Sequence, residues 1–265
     1  MRLVRFRGAC AAASAAHALL LSGALRAETA DQGSVALLQA ASAMVHASRA
    51  TVDLSPTHAN SLIVVALMFT TPDPSPLTIT DNAPGGSNTY KSAVNVAGPN
   101  SQYLCYAEGA KADVTRITVT AAYSVIDVIV AEYSGVATSG ALDRVSAFNN
   151  GYSADSVWRT GKTPPTRRAP ELAVVAGGGT YFSTDFTHRA GAGYHFVTTH
   201  WAAGHFVSGL MMEDRVLTTM GSYEATGYTQ MAGGAKDIRY GMIATFYLEP
   251  PALVSRAGAG REQEQ

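Results

Sequence analysis

The sequence predicts an all-β chain, an antiparallel and jelly-roll-like β-sandwich of about a dozen strands. Three observations carry that expectation. Short alternating or continuous apolar segments recur along the chain with Gly, Pro and Asn clusters between them, which is the punctuation of strands and turns. Val, Ile and Thr are frequent in those segments, and side chains branched at Cβ pack well on a pleated surface. Beyond the N-terminal stretch, no segment keeps apolar residues at the spacing of three and four that a helix needs.

The clearest segment is Asp113–Gly135. Ile117, Val119 and Ala121 share one face and Arg116, Thr118 and Thr120 the other, the period of a half-buried strand. Val125–Tyr133 is apolar on both faces apart from Asp127 and Glu132, as a central strand is. The pair reads as a hairpin turning at Ala122–Ser124.

The other elements follow in order. Ser34–Val45 and Thr51–Leu54 read as first strands, and Ser61–Phe69 as a strand buried on both faces. Leu77–Thr80, Thr89–Val96 and Gln102–Ala107 follow the proline loop at Pro72, Pro74 and Pro76. Ser139–Trp158 is polar, with Asn149-Asn150-Gly151 as a turn signal. Glu171–Ala176 is buried, and Gly177-Gly178-Gly179 ends it, bends it or marks a close backbone approach. Gly191–Thr199, Phe206–Met212, Val216–Ala225 and Ile238–Leu248 complete the set. Leu62–Ala66 (LIVVA) echoes Leu172–Ala176 (LAVVA), each ahead of a further buried strand. Duplication explains the echo, and so does convergence of core strands on a small alphabet, which is the preferred reading.

Composition sets the boundaries. Arg2, Arg5 and Arg7 precede an apolar run and the small residues up to Ala27, the pattern of a secretory signal peptide over residues 1–27. An over-extended start upstream of a cytosolic domain and an Arg-rich, acid-free transit peptide are the competing readings. The run is too short and too rich in Ala for a stable membrane span. Residues 28–250 then form a single sandwich domain and 251–265 a polar tail, in a protein that is secreted or at the cell surface. A net charge of −1 gives no basic face for nucleic acid. Cys10 falls in the leader, so Cys105 is left without a disulfide partner and reads as a small buried hydrophobe.

No catalytic set is expected. Paired-carboxylate chemistry needs two acids across a cleft, and Glu132 and Glu224 are the candidates, with no second acid at a recognisable spacing. His188, His195, His200 and His205 are separated by odd or long steps that do not converge them on one metal. No nucleophile elbow, phosphate loop or dinucleotide fingerprint occurs. No cofactor is expected; Asp81-Asn82 is a meagre candidate for calcium, since one acid stands where several are usual. Trp158, Trp201, Tyr181 and Tyr194 are the binding candidates, because flat rings beside loops suit a sugar. The same rings also suit plugs at the open ends of a sandwich.

In order along the chain, Ser61–Ala66 (SLIVVA), Ile79–Asn82 with Asn88–Tyr90 (ITDN…NTY), Ala131–Val136 (AEYSGV), Glu171–Gly177 (ELAVVAG), Gly191–Tyr194 (GAGY) and Ile243–Phe246 (IATF) carry a resemblance. The chain resembles functionally uncharacterised bacterial and phage-associated surface β-sandwich domains. The resemblance implies a jelly-roll-like sandwich at a cell or virion surface and no active site. Ala83-Pro84 departs from that pattern inside the turn after Asp81-Asn82. The expected function is that of an exported, non-catalytic binding or structural module, with polysaccharide or a surface protein as partner. A jelly-roll carbohydrate-active enzyme, hydrolase or lyase, and a phage tail or decoration protein are the alternatives.

Overall fold

A computed structural model describes residues 35–153, 156–181, 186–200, 207–231 and 237–250. The segments expected as leader and tail, residues 1–27 and 251–265, lie outside them. The described residues are all-β, in antiparallel strands, and no helix among them is long and apolar enough to cross a membrane.

The strands are β1 (Ala36–Asp53), β2 (Ser61–Phe69), β3 (Thr78–Asp81), β4 (Lys91–Val96), β5 (Ser101–Ala110) and β6 (Arg116–Ser134) in the first half of the chain. The second half holds β7 (Leu142–Ser153), β8 (Val157–Arg159), β9 (Glu171–Tyr181), β10 (Phe186–Arg189), β11 (His195–His200), β12 (Val207–Leu217), β13 (Thr226–Met231) and β14 (Asp237–Tyr247). The first sheet runs β1-β6-β2-β5-β4 with β3 added on β6. The second runs β7-β14-β9-β12-β11, and the third β8-β13-β10.

These orders are one order used twice. β1, β6, β2, β5 and β4 correspond to β7, β14, β9, β12 and β11. Irregularities repeat with them. An extra residue bulges at Leu38 opposite β6 and at Asp143 opposite β14, and again at Ala93 opposite β5 and at Val197 opposite β12. Leu62 faces Tyr133 as Leu172 faces Phe246, so the LIVVA and LAVVA segments hold equivalent places. Convergence on an apolar alphabet does not require a shared pairing order and shared bulges, so the preference for convergence is corrected: the echo marks a repeated architecture.

Each half folds its sheet into two layers, by different means. Asp113–Gly135 does not contain a hairpin. β6 is one strand that pairs with β1 from end to end, and the residues expected to turn form a bulge where Ala47 faces Ser124 but Arg49 faces Thr120. The bulge shifts the side-chain phase, so Ile117, Val119 and Ala121 enter the same core as Ile126, Val128 and Val130. β1 likewise unites the two first strands read from the sequence, and its Ala50 and Val52 join that core. In the second half the corresponding layer is the separate β8-β13-β10 sheet, which closes over Ala173, Val175 and Ile243.

The inner faces of the two large sheets pack on each other. Alternation on β2 sends Leu62, Val64, Ala66 and Met68 into this central core, and alternation on β9 sends Leu172, Val174 and Ala176 to meet them. The contacts are reciprocal: β4 meets β7 while β1 meets β11, and β5 meets β14 while β6 meets β12. Under the correspondence above, each contact has its counterpart with the halves exchanged, as in an isologous two-fold interface.

Two other expectations change. Asn149-Asn150-Gly151 does not turn the chain but lies within β7, with Gly151 at φ 66° beside an irregularity against β14. The strand read over Val216–Ala225 stops at Leu217. The stretch after it pairs instead with Thr160, Thr163 and Thr166, whose amides donate to Ala225, Tyr223 and Gly221 and whose hydroxyls accept from the same three residues.

Candidate functional site

Two of the four binding candidates, Trp158 and Tyr194, have described side chains, and both are buried. Trp158 is fully buried, the reverse of a ring presented to a ligand. Its indole lies against Gly177, Gly227 and Gly241, where any Cβ would overlap it, and its Nε1 donates to Thr229 Oγ1 at 3.2 Å. Tyr194 is buried beneath Arg215, whose guanidinium lies 5.8 Å from the ring centre. Tyr181 ends β9 with its side chain outside the description, and Trp201 lies outside the described residues. The exposed rings are others: Tyr123 at 70 % and 5.0 Å from the His46 ring, Phe148, and Phe196 at 46 %. Tyr123 sits on the β6 bulge, which periodicity had concealed as a turn.

Glu132 and Glu224 are not brought together. Glu132 is buried in the first half, where Oε1 accepts from the His58 amide at 2.6 Å and Oε2 from Gln39 Nε2 at 2.7 Å. It fixes the loop after β1 to the strand ends. Glu224 is exposed in the second half.

Sequence reasoning missed an interacting pair of acids, Asp143 and Glu171. The strand ends of β7, β9 and β14 meet under the segment Thr160–Pro170, and both carboxyls are buried there. Asp143 accepts from Tyr247 Oη at 2.7 Å and from the Arg167 amide at 2.8 Å, and Arg167 Nε lies 3.2 Å from it. Burial opposes its charge, yet the Arg167 amide, the Tyr247 hydroxyl and Arg144 outweigh that and hold its pKa below the usual range. Neither Glu171 oxygen forms a well-directed hydrogen bond among the described residues. Burial, with the neighbouring Asp143 adding to it, pushes Glu171 up to about 7. Arg168 stacks on the Tyr247 ring 3.4 Å from its centre and closes the surface above. The signal in the sequence was a charged Leu-Asp-Arg start to one strand and an acid heading the next, which registers as strand-end polarity.

Another buried acid lies on β12. Glu213 Oε2 accepts from the Gly191 amide at 2.7 Å, while Oε1 and the Tyr194 hydroxyl have no hydrogen-bond partner among the described residues. Burial, reinforced by Asp214, raises Glu213 to about 7. Asp214 points to the other face, accepts from Tyr133 Oη at 3.0 Å and lies 3.6 Å from Nδ1 of His195, a ring 83 % exposed. Of the histidines, His188 contacts Thr229 within the third sheet at 3.2 Å, and burial lowers its pKa to about 4. His200 has no described side chain and His205 lies outside the description. Among the described residues no group of acids, histidines and cysteines is arranged to hold a metal.

Two expectations about single residues meet their geometry directly. Cys105 is buried, and burial pushes its thiol up to about 12, so it is no nucleophile near neutral pH. Asp81 is a structural clasp. Its carboxylate accepts from the Ala83 and Asn88 amides, from Asn88 Nδ2 at 2.8 Å and from Tyr90 Oη at 2.8 Å. Asn82 accepts from the Thr115 and Arg116 amides, so the ITDN…NTY residues tie one loop to β6. No family model, curated protein or solved structure matches the chain.

Proposed function

We propose that the protein is a non-catalytic module of an exterior surface, built from two jelly-roll-like units packed back to back, that binds a polysaccharide or a surface protein or serves structurally. One observation carries the reading. The acid pair with the right chemistry for proton transfer, Asp143 and Glu171, is sealed beneath Arg167, Arg168 and Tyr247, and a general acid must reach its substrate. The N-terminal leader pattern and the likeness to bacterial and phage-associated surface sandwiches support the exterior location. Among the described rings, Tyr123 is the one best presented for a flat ligand.

A second reading, a carbohydrate-active enzyme, draws on the same pair, because one carboxyl is held charged and the other near neutrality. The test incubates the purified protein with a panel of soluble and insoluble polysaccharides and scores both retention and new reducing or unsaturated ends. Retention without new ends, weakened by Tyr123→Ala, supports binding. New ends that vanish in Glu171→Gln support the enzyme. Neither outcome leaves the structural role as the reading to pursue among protein partners.

A further inference from the structure

We propose that β1 pairs edge to edge with β1 of a second copy of this chain, antiparallel about a two-fold axis near Ala43. The argument starts from the repeat. β1 and β7 hold the same edge of equivalent sheets, and among the described residues a segment lies along β7 but not along β1. Along β7, Ser146 Oγ donates to the Thr160 carbonyl, Asn150 exchanges hydrogen bonds with the Arg159 backbone, Arg144 Nε donates to the Pro165 carbonyl and Asp143 accepts from the Arg167 amide. The segment leading from that edge strand to the next large-sheet strand therefore lies along it as a strap. The corresponding segment of the first half, Leu54–Asn60, is shorter and returns to β1 at Gln39, which exchanges two hydrogen bonds with Ser55.

The other large-sheet edges are also blunted. β4 and β11 are short and each carries a bulge, devices that discourage pairing. β1 is 18 residues long. Between its bulge at Leu38 and the irregularity at Ala47–Arg49, it pairs with β6 in unbroken register and holds no charged residue, Gly or Pro. Such an edge is a template for strand addition.

The side chains favour the same strand as occupant. With the axis at Ala43, Ser42 faces Met44, Ala41 faces Val45 and Gln39 faces Ala47. Each larger side chain meets a small one, and no like charges are opposed. An antiparallel pair of identical strands is also the isologous arrangement that closes as a dimer rather than growing into a fibre.

Sedimentation of the full chain should show a concentration-dependent species of twice the monomer mass. Ser42→Lys and Ser42→Asp should each abolish that species, and mixing the two in equal amounts should restore it. Ala43→Cys on a Cys10→Ser background should give a disulfide-linked dimer on mild oxidation, since Cys105 is buried; this keeps the question answerable if either charged variant fails to fold. A monomer at every concentration overturns the proposal, as does a dimer that survives both charged variants or a mixture that stays monomeric. A monomer would point to the edge being covered within the chain or reserved for a different partner.

Discussion

The two halves fill the same core with opposite volumes. Register places Trp158 where the first half has Val52, and Gly177, Gly227 and Gly241 where it has Leu67, Ile117 and Val128. The first half packs four aliphatic side chains of middling size, while the second packs one indole over three bare backbones. The backbone order is shared and the side-chain volume is redistributed. A fold of this kind is therefore set by pairing order and by total volume, and cores tolerate substitution when volume and pattern are kept. The acids are redistributed in the same way. Cys105 and Glu213 are equivalent, as are Tyr90 and Tyr194, yet the carboxylate facing the tyrosine loop comes from Asp81 in one half and from Glu213 in the other.

The largest break should come at the indole. Trp158→Ala should cost about 3–5 kcal/mol, read as the shift in denaturant midpoint. Val52→Ala at the equivalent site should cost clearly less, because it removes far fewer buried atoms.

The next difference is in pH dependence. Glu213 is raised from 4.5 to about 7 in the folded state. The folded protein keeps this proton between those values while the unfolded chain releases it. Stability is therefore full below 4.5, falls as pH rises through 7, and is lower by about 3 kcal/mol above that range. Denaturant melts at pH 5 and pH 8 should show the fall, and Glu213→Gln should remove much of it. Glu171 contributes in the same direction, since it too is raised to about 7. Glu171→Gln should flatten the remainder.

A smaller effect is expected in the first half. Asp81→Ala strands the Tyr90 hydroxyl and the Asn88 donors, at a cost of about 2 kcal/mol. Hydrogen exchange should rise locally at residues 83–90, leaving 191–194 unchanged.

Much of the fold was legible because its cause is local. Alternation and Val/Ile runs locate Ser61–Phe69, Glu171–Ala176 and Ile238–Leu248, and each is a strand of a large sheet. What periodicity could not supply was the difference between a turn and a bulge at Ala122–Ser124. Both interrupt the alternation identically, and only the neighbouring β1, distant in sequence, decides between them. The same limit hid the site candidates. Trp158 looks accessible beside a polar stretch, and its burial depends on three glycines that lie up to 83 positions away, at Gly241. Asp143 and Glu171 meet only because β7 and β9 flank the same strand, β14.

The most direct test of the shared architecture is a double-mutant cycle of Trp158→Val with Gly227→Ile, which rebuilds the Val52–Ile117 pair in the second half. At Gly227 the nearest atoms to an added Cβ all belong to the indole. Gly227→Ile alone should be severely destabilising, and on the Trp158→Val background it should be neutral or stabilising. Equal costs in both backgrounds would contradict the equivalence of the two halves.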